Sequence, residues 1–234
     1  GVQTCALPIS LDDYRIAFHG QTAHAAGEPW NGRNALNGAM LALHGIDMLR
    51  QHVRPETRIG SYIVDGGRAS NVVPDYAEVE CCIRHSERAY LDTVVEKVMK
   101  CFEGAAIATE TTYDVRQMGE KFDNMVWNET ATQAAEQVLS DMGIAYEAPK
   151  DCGSSDVGNV SHQCPALHLH LALGDVPMPE HSVELANAVK DPAIEPIIVR
   201  GAEIMGRLAI LLGSDETRCQ AMMDEFKGHV AVRV

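Results

Sequence analysis

The stretch YAEVECCIRH, Tyr76–His85, decides the fold. Ala77, Val79, Cys81 and Ile83 fall at every second position, with Glu78, Glu80 and Arg84 between them. A period of two sends alternate side chains to opposite faces, so this is a strand with one apolar and one polar face. Working outward, Gly66 and Gly67 end an earlier apolar run from Ile59 to Val64, which reads as the preceding strand. On the other side, Leu91, Val94, Val95, Val98, Met99 and Phe102 recur at helical spacing, and the Thr-rich run from Thr109 to Val115 reads as a further strand. Upstream, Tyr14, Ile16 and Phe18 alternate with Arg15 and Ala17. Leu36, Met40, Leu43, Met48 and Leu49 then mark a helix that Pro55 closes. The order βαββαβ predicts a ferredoxin-like unit, an antiparallel sheet with both helices on one face.

A second α/β pattern follows. Asn128 can cap a helix carrying Ala131, Ala135, Val138 and Met142, with Gly143 placed to stop it. Ala166 to Leu173 reads as a strand. Asp191 and Pro192 have the cap-then-proline form of a helix start, and Ile194, Ile197, Ile198, Met205, Leu208, Leu211 and Leu212 continue that helix to a stop at Gly213. From Ser214 onward a charged, Met-containing helix or tail closes the chain. The expected boundaries are therefore 11–118 for the first unit, 119–213 for the second and 214–234 for the tail. The opening GVQTCALPIS, residues 1–10, matches no periodicity and resembles a translated sequencing adapter, so it is set aside as an artefact. On that reading the parent protein continues upstream of Leu11.

Composition narrows the partners. With 46% hydrophobic and 22% charged residues over 234 positions, the chain has material for a real core in one large or two modest domains. Thirty-three acidic against nineteen basic residues leave a net charge of −14, which argues against nucleic acid or an anionic membrane as a partner. Seven cysteines, an odd number with no CxxC, point away from a disulfide framework and toward a reducing cytoplasm. No apolar run reaches the length of about 18 residues that a membrane span needs.

Polar residues meet loop glycines at His19 to His24, Gly66 to Pro74, Gly153 to Asn159 and His181 to Glu184. A loop histidine such as His24 can project toward a ligand or serve as a cap. Asn71 can face a ligand or make an Asx turn. The pieces FHGQTAHAAGEPWNGRNAL, GGRASNVVPDYAEVECCIRH, GSSDVGNVSHQCPALHLHL and PMPEHSVELA occur in the order found in the zinc-dependent aminoacylase, carboxypeptidase G and p-aminobenzoyl-glutamate hydrolase family, which the chain resembles from about Tyr14 to Leu212. That resemblance implies a ferredoxin-like lid domain that mediates homodimerisation, followed by the C-terminal part of a co-catalytic zinc hydrolase domain.

Carried over by position, the resemblance makes His24 the lid histidine that reaches the scissile carbonyl in the partner subunit's site, with its N–H as oxyanion donor. It makes Asn71 a substrate-binding lid asparagine and Arg84 a clamp for the substrate carboxylate, although Arg84 can also pair with Glu78 or Glu80. Asp156 matches an acidic residue near the substrate end of the catalytic domain, or caps the next turn. His181 matches the C-terminal histidine that ligates one of two Zn2+ ions, for which Mn2+ or Co2+ can substitute. The remaining ligands and the general base have no counterpart here, so the chain alone is expected to be inactive. His168 and His170 share one face of a strand, either as core residues or as a His-x-His metal site. The implied function is hydrolysis of the amide bond in small N-acyl amino acids or dipeptides through a zinc-activated water. The alternative is a non-catalytic dimerisation or binding module derived from such an enzyme.

Overall fold

The computed structural model describes residues 2–3, 6–147, 150–173, 178–179 and 181–231. These form two compact units, Ile9–Asn124 and a second made of Gly1–Pro8 with Met125–Val234. The first unit comprises β1 (Ser10–His19), α1 (Ala35–Leu49), β2 (Arg58–Asp65), β3 (Tyr76–His85), α2 (Arg88–Ala108) and β4 (Thr112–Gln117). The sheet order is β2-β3-β1-β4 with every neighbouring pair antiparallel, the ferredoxin-like arrangement expected. Thr109 caps the end of α2, so β4 starts three residues later than its Thr-rich pattern indicated.

Alternation along β1 and β3 builds the core. Ile16 lies opposite Val79 and Phe18 opposite Ala77, and all four are fully buried. Against them pack Ala39, Ala42 and Ile46 of α1 and Leu91, Val94, Val98 and Phe102 of α2, also fully buried. Small residues on α1 let that helix approach the sheet closely, since a Cβ at Gly38 would lie 2.7 Å from the Phe18 ring. The other sheet face is polar: Arg15 bonds Glu80 at 3.0 Å and lies 3.7 Å from Glu78.

In the second unit the Asn128 side chain accepts from Ala131 N and caps α3 (Glu129–Asp141). Gly143 takes a left-handed φ of 65° just past its end. Gly143 N bonds Ser140 O and Ile144 N bonds Leu139 O, a Schellman closure that Gly permits without Cβ strain. The short α4 (Val157–Ser161) and α5 (Val183–Ala188) had no clear periodic signal. Of the strand expected at 166–173, only His170–Leu171 pairs, with Val2–Gln3. A strand exists only where a neighbour supplies a ladder, and among the described residues that neighbour is two residues long. Ala6–Pro8, within the opening segment set aside above, pairs in parallel with Lys150–Cys152.

Asp191 and Pro192 open a 3-10 turn, Pro192–Ile194, which leads into α6 (Glu195–Ser214). Gly213 does not stop α6. The break comes at Asp215, whose side chain accepts from Arg218 N and starts α7 (Glu216–Ala231). A helix tolerates an interior glycine at a cost of about 1 kcal/mol, whereas the Asp215 cap favours a new start. Glu225 of α7 then reaches the N-terminus of α3, accepting from Glu129 N at 2.6 Å, Thr130 N at 3.0 Å and Thr130 Oγ1 at 2.8 Å. Burial pushes the Glu225 carboxyl up, but these hydrogen bonds outweigh it and hold it below its ordinary value. No helix among the described residues is long and apolar enough to cross a membrane.

One buried charge fastens the base of the first unit. Asp12 is 1% exposed and accepts from Arg88 at 2.6 Å and from Tyr14 Oη at 2.9 Å, with Lys121 Nζ 3.1 Å away. Burial raises the Asp12 carboxyl, and the bonds from Arg88, Tyr14 and Lys121 outweigh burial and hold it below 3.8. The Asn124 side chain accepts from both Ser10 Oγ and Arg88 N, so both chain crossings are tied to the start of α2.

Asp12→Asn should destabilise this unit by about 3 kcal/mol, near the lower bound for breaking a buried pair because Lys121 is partly exposed. Its folded pKa is depressed, so the wild-type advantage is complete above pH 3.8 and declines as pH falls through the lower folded value. Urea unfolding of both proteins at pH 7 and pH 3 measures this. Glu225→Ala should cost about 1–2 kcal/mol by removing bonds to the α3 N-terminus, read in the same way.

Candidate functional site

The loops after β1 and before β3 meet at one end of the sheet. Beyond the His19 and Tyr76 pair, Gly20 N bonds Asp75 O at 2.8 Å, and Gln21 and Arg33 exchange backbone bonds. A Cβ at Gly20 would collide with the Arg33 carbonyl, so this crossing requires glycine. The same path continues with Val73 N to Ala23 O at 2.9 Å, a bridge between His24 and Val72, and Ala25 N to Asn71 O at 3.0 Å. His24 and Asn71 are thereby placed side by side, 47 positions apart in the chain, and both are exposed.

Each side chain has a defined setting. His24 Nδ1 accepts from Ala26 N at 3.2 Å and Gly27 N at 3.0 Å, and its Nε2 has no partner among the described residues. The Asx turn in the second loop belongs to Asp65, which accepts from Gly67 N at 2.9 Å where Gly67 has a φ of 104°. The Asn71 side chain has no hydrogen-bond partner among the described residues and is free for a ligand. A cleft of about 430 Å³ opens beside the pair, lined in part by Thr22, Arg68, Val72 and Asp75.

Arg84 is not part of this pair. From Tyr76 to Arg84 the strand runs roughly 27 Å at about 3.4 Å per residue, away from His24 and Asn71. Arg84 sits opposite Leu11, at the end where the chain enters and leaves the unit. Arg15 engages both Glu78 and Glu80, so Arg84 has no carboxylate partner among the described residues and its Nε donates to Cys82 Sγ at 3.3 Å. Arg58 lies directly across the ladder from Arg84, a residue the sequence patterning passed over. Two like charges so placed repel. Arg58 turns its guanidinium to the Pro55 and Thr57 carbonyls, leaving the Arg84 side of the face cationic.

Asp156 and His181 lie in the other unit. Asp156 occupies the N-cap position of α4 but makes no capping bond; Ser155 Oγ accepts from Val157 N instead. His181 is exposed, with a φ of 57°, immediately before Ser182, which caps α5. A left-handed conformation at a non-glycine residue costs of order 1–3 kcal/mol and marks a constrained position. His168 and His170 stack edge to face at 4.7 Å. Burial, then His170, push the His168 imidazole below its ordinary value, and Asp156 pulls it back. No group of three or more His, Cys, Asp or Glu among the described residues could hold a metal ion. Neither His181 nor the His168 and His170 pair is therefore completed into a zinc site by the described residues.

Comparison with known proteins gives this geometry a context. Residues 10–110 match the family described as a peptidase dimerisation domain. The chain is 28% identical over 224 residues to the Xaa-Arg dipeptidase of Mus musculus, covering 94% of this chain and 52% of that protein. It is 36% identical over 127 residues to one of the two chains of the p-aminobenzoyl-glutamate hydrolase of Escherichia coli, covering 54% of this chain and 26% of that protein. The crystal structure of an aminobenzoyl-glutamate utilization protein from Klebsiella pneumoniae shares the fold with a TM-score of 0.57 at 24% identity, covering 68% of this chain and 41% of that one. The chain spans about half the length of the dipeptidases it matches. A dimerisation-domain match lying over the ferredoxin-like unit, continued by similarity through most of the second, means that the chain belongs to the peptidase and amidohydrolase family that includes the Xaa-Arg dipeptidases and p-aminobenzoyl-glutamate hydrolases.

Proposed function

We propose that this chain is the lid and C-terminal part of a metal-dependent amide hydrolase for small N-acyl or N-aminoacyl amino acids, of the p-aminobenzoyl-glutamate hydrolase type, working in the cytoplasm as a homodimer joined through the lid. The observation that carries the reading is the division of the lid's polar groups between the two ends of its sheet. His24 and Asn71 stand together at one end, and Arg84 stands without a carboxylate partner at the other. A small amino acid conjugate cannot span roughly 27 Å. Each end of the lid therefore serves a different substrate molecule, and a dimer supplies the second site. Arg84 lies where the chain crosses to its own second unit and clamps the carboxylate of a substrate held there. His24 and Asn71 bind the carbonyl of a substrate held by the partner subunit. The outer strand β2 exposes Tyr62, Ile63 and Val64, and α1 exposes Met40, Leu41 and Met48, apolar surface suited to a second lid.

Zinc belongs to the proposal through family resemblance, with His181 as one ligand and Asp156 beside the substrate. The described donors do not complete a site, so no reaction step is assigned to a metal held by this chain alone. That same shortage favours the second reading, a dimerisation module without catalysis. A reading frame continuing upstream of Leu11 into further acidic and histidine donors separates the two.

The isolated chain should show no amidase turnover with added zinc and should bind it substoichiometrically, as measured by elemental analysis after dialysis. In the extended parent enzyme, His181→Ala should lower bound metal and activity together. His24→Ala should leave metal content intact while lowering turnover by about 10²–10³, the usual cost of an oxyanion donor. Mixing these two inactive proteins should restore activity through heterodimers. Exchanged subunits that recover nothing would place His24 in its own chain's site or in a structural role.

A further inference from the structure

We infer that the turn following His24 is a positioning device: the main-chain amides of Ala26 and Gly27 lock the His24 imidazole as the Nε2–H tautomer and make it an obligate hydrogen-bond donor at its exposed end. Both amides point at Nδ1, at 3.2 and 3.0 Å. A ring nitrogen that accepts from N–H must present its lone pair, so Nδ1 carries no proton and the neutral ring carries it on Nε2. The turn is itself held, because Glu28 N bonds His24 O and the His24 backbone bridges Val72 on the neighbouring loop. The ring can thus neither rotate nor exchange tautomers without giving up both amides.

The chemical consequence is a restriction of roles. With the Nδ1 lone pair occupied and a proton on Nε2, His24 has no free lone pair to accept a proton from water or substrate. It offers one N–H, directed away from its own turn, to an acceptor oxygen such as a carbonyl or the oxyanion formed from it. The ligand class at this end of the lid is therefore an oxygen acceptor and not an acidic proton. Gly27 is the sensitive position. Its Cβ, if present, would sit 3.5 Å from Nδ1, an ordinary contact, so Gly27→Ala retains the amide and the geometry. Gly27→Pro removes the N–H and leaves Ala26 as the sole donor. The use made of the donor rests on the function proposed above, but the tautomer does not, and it can be read on the isolated chain.

The test is a two-bond 1H–15N correlation spectrum of the 234-residue chain labelled with 15N-histidine, with His24 assigned by loss of its signals in His24→Ala. The expected result is a single Nε2–H pattern in the wild type and in Gly27→Ala, and a second, Nδ1–H population in Gly27→Pro. An Nδ1–H or mixed pattern in the wild type overturns the inference, as does a Gly27→Pro pattern identical to that of Gly27→Ala. The wild-type spectrum decides the matter even if the proline variant does not fold. A locked tautomer together with full activity of His24→Ala in the parent would remove the proposed catalytic use while leaving the positioning intact.

Discussion

Asp12 is a carboxylate taken out of water at the point where the chain both enters and leaves the lid, and the frame of that unit depends on how its charge is met. Arg88 from the start of α2, Tyr14 from the same strand and Lys121 from the exit segment converge on it. A buried charge is tolerable only when paired and hydrogen-bonded, so this convergence ties three separate segments to one point. From there β1 runs through the middle of the sheet with a neighbour on each side. Its far end carries the loop of His24.

That arrangement explains why the polar groups of the lid are divided. A sheet is stiff along its strands, so groups at its opposite ends keep their separation and cannot converge on one small molecule. The glycine crossing at Gly20 and the bridged loops put His24 and Asn71 beside each other, while β3 carries Arg84 to the end nearest the chain crossings. Pairing of two chains is the economical way for such a divided set to act on one bond, which accords with the dimerisation-domain family to which residues 10–110 belong.

Much of this was legible in the residues. The alternation of Ala77, Val79, Cys81 and Ile83 named the inward face of β3, and Asn128 and Gly143 named both ends of α3, because caps and left-handed glycines act locally. Signals were misread where a partner was needed. The run from Ala166 to Leu173 has strand composition but little to pair with among the described residues. Gly213 has the residue type of a helix stop, yet Asp215 supplies the competing start. Arg15, and not Arg84, took the two glutamates, a choice between chemically equal partners that spacing along β3 does not reveal.

The sequence by itself determined the order of elements, the apolar faces and the family, since each of these is written in periods of two and 3.6 residues and in short contiguous motifs. Only the tertiary structure decided which groups meet. Asp12 with Arg88 and Lys121, His24 with Asn71, and the distance between those two and Arg84 all depend on the order β2-β3-β1-β4. Periodicity states which face a side chain occupies but not which strand lies next to it. The lock on His24 came from still finer detail: main-chain amides are present at nearly every residue, so only the fold of the turn shows that two of them aim at Nδ1.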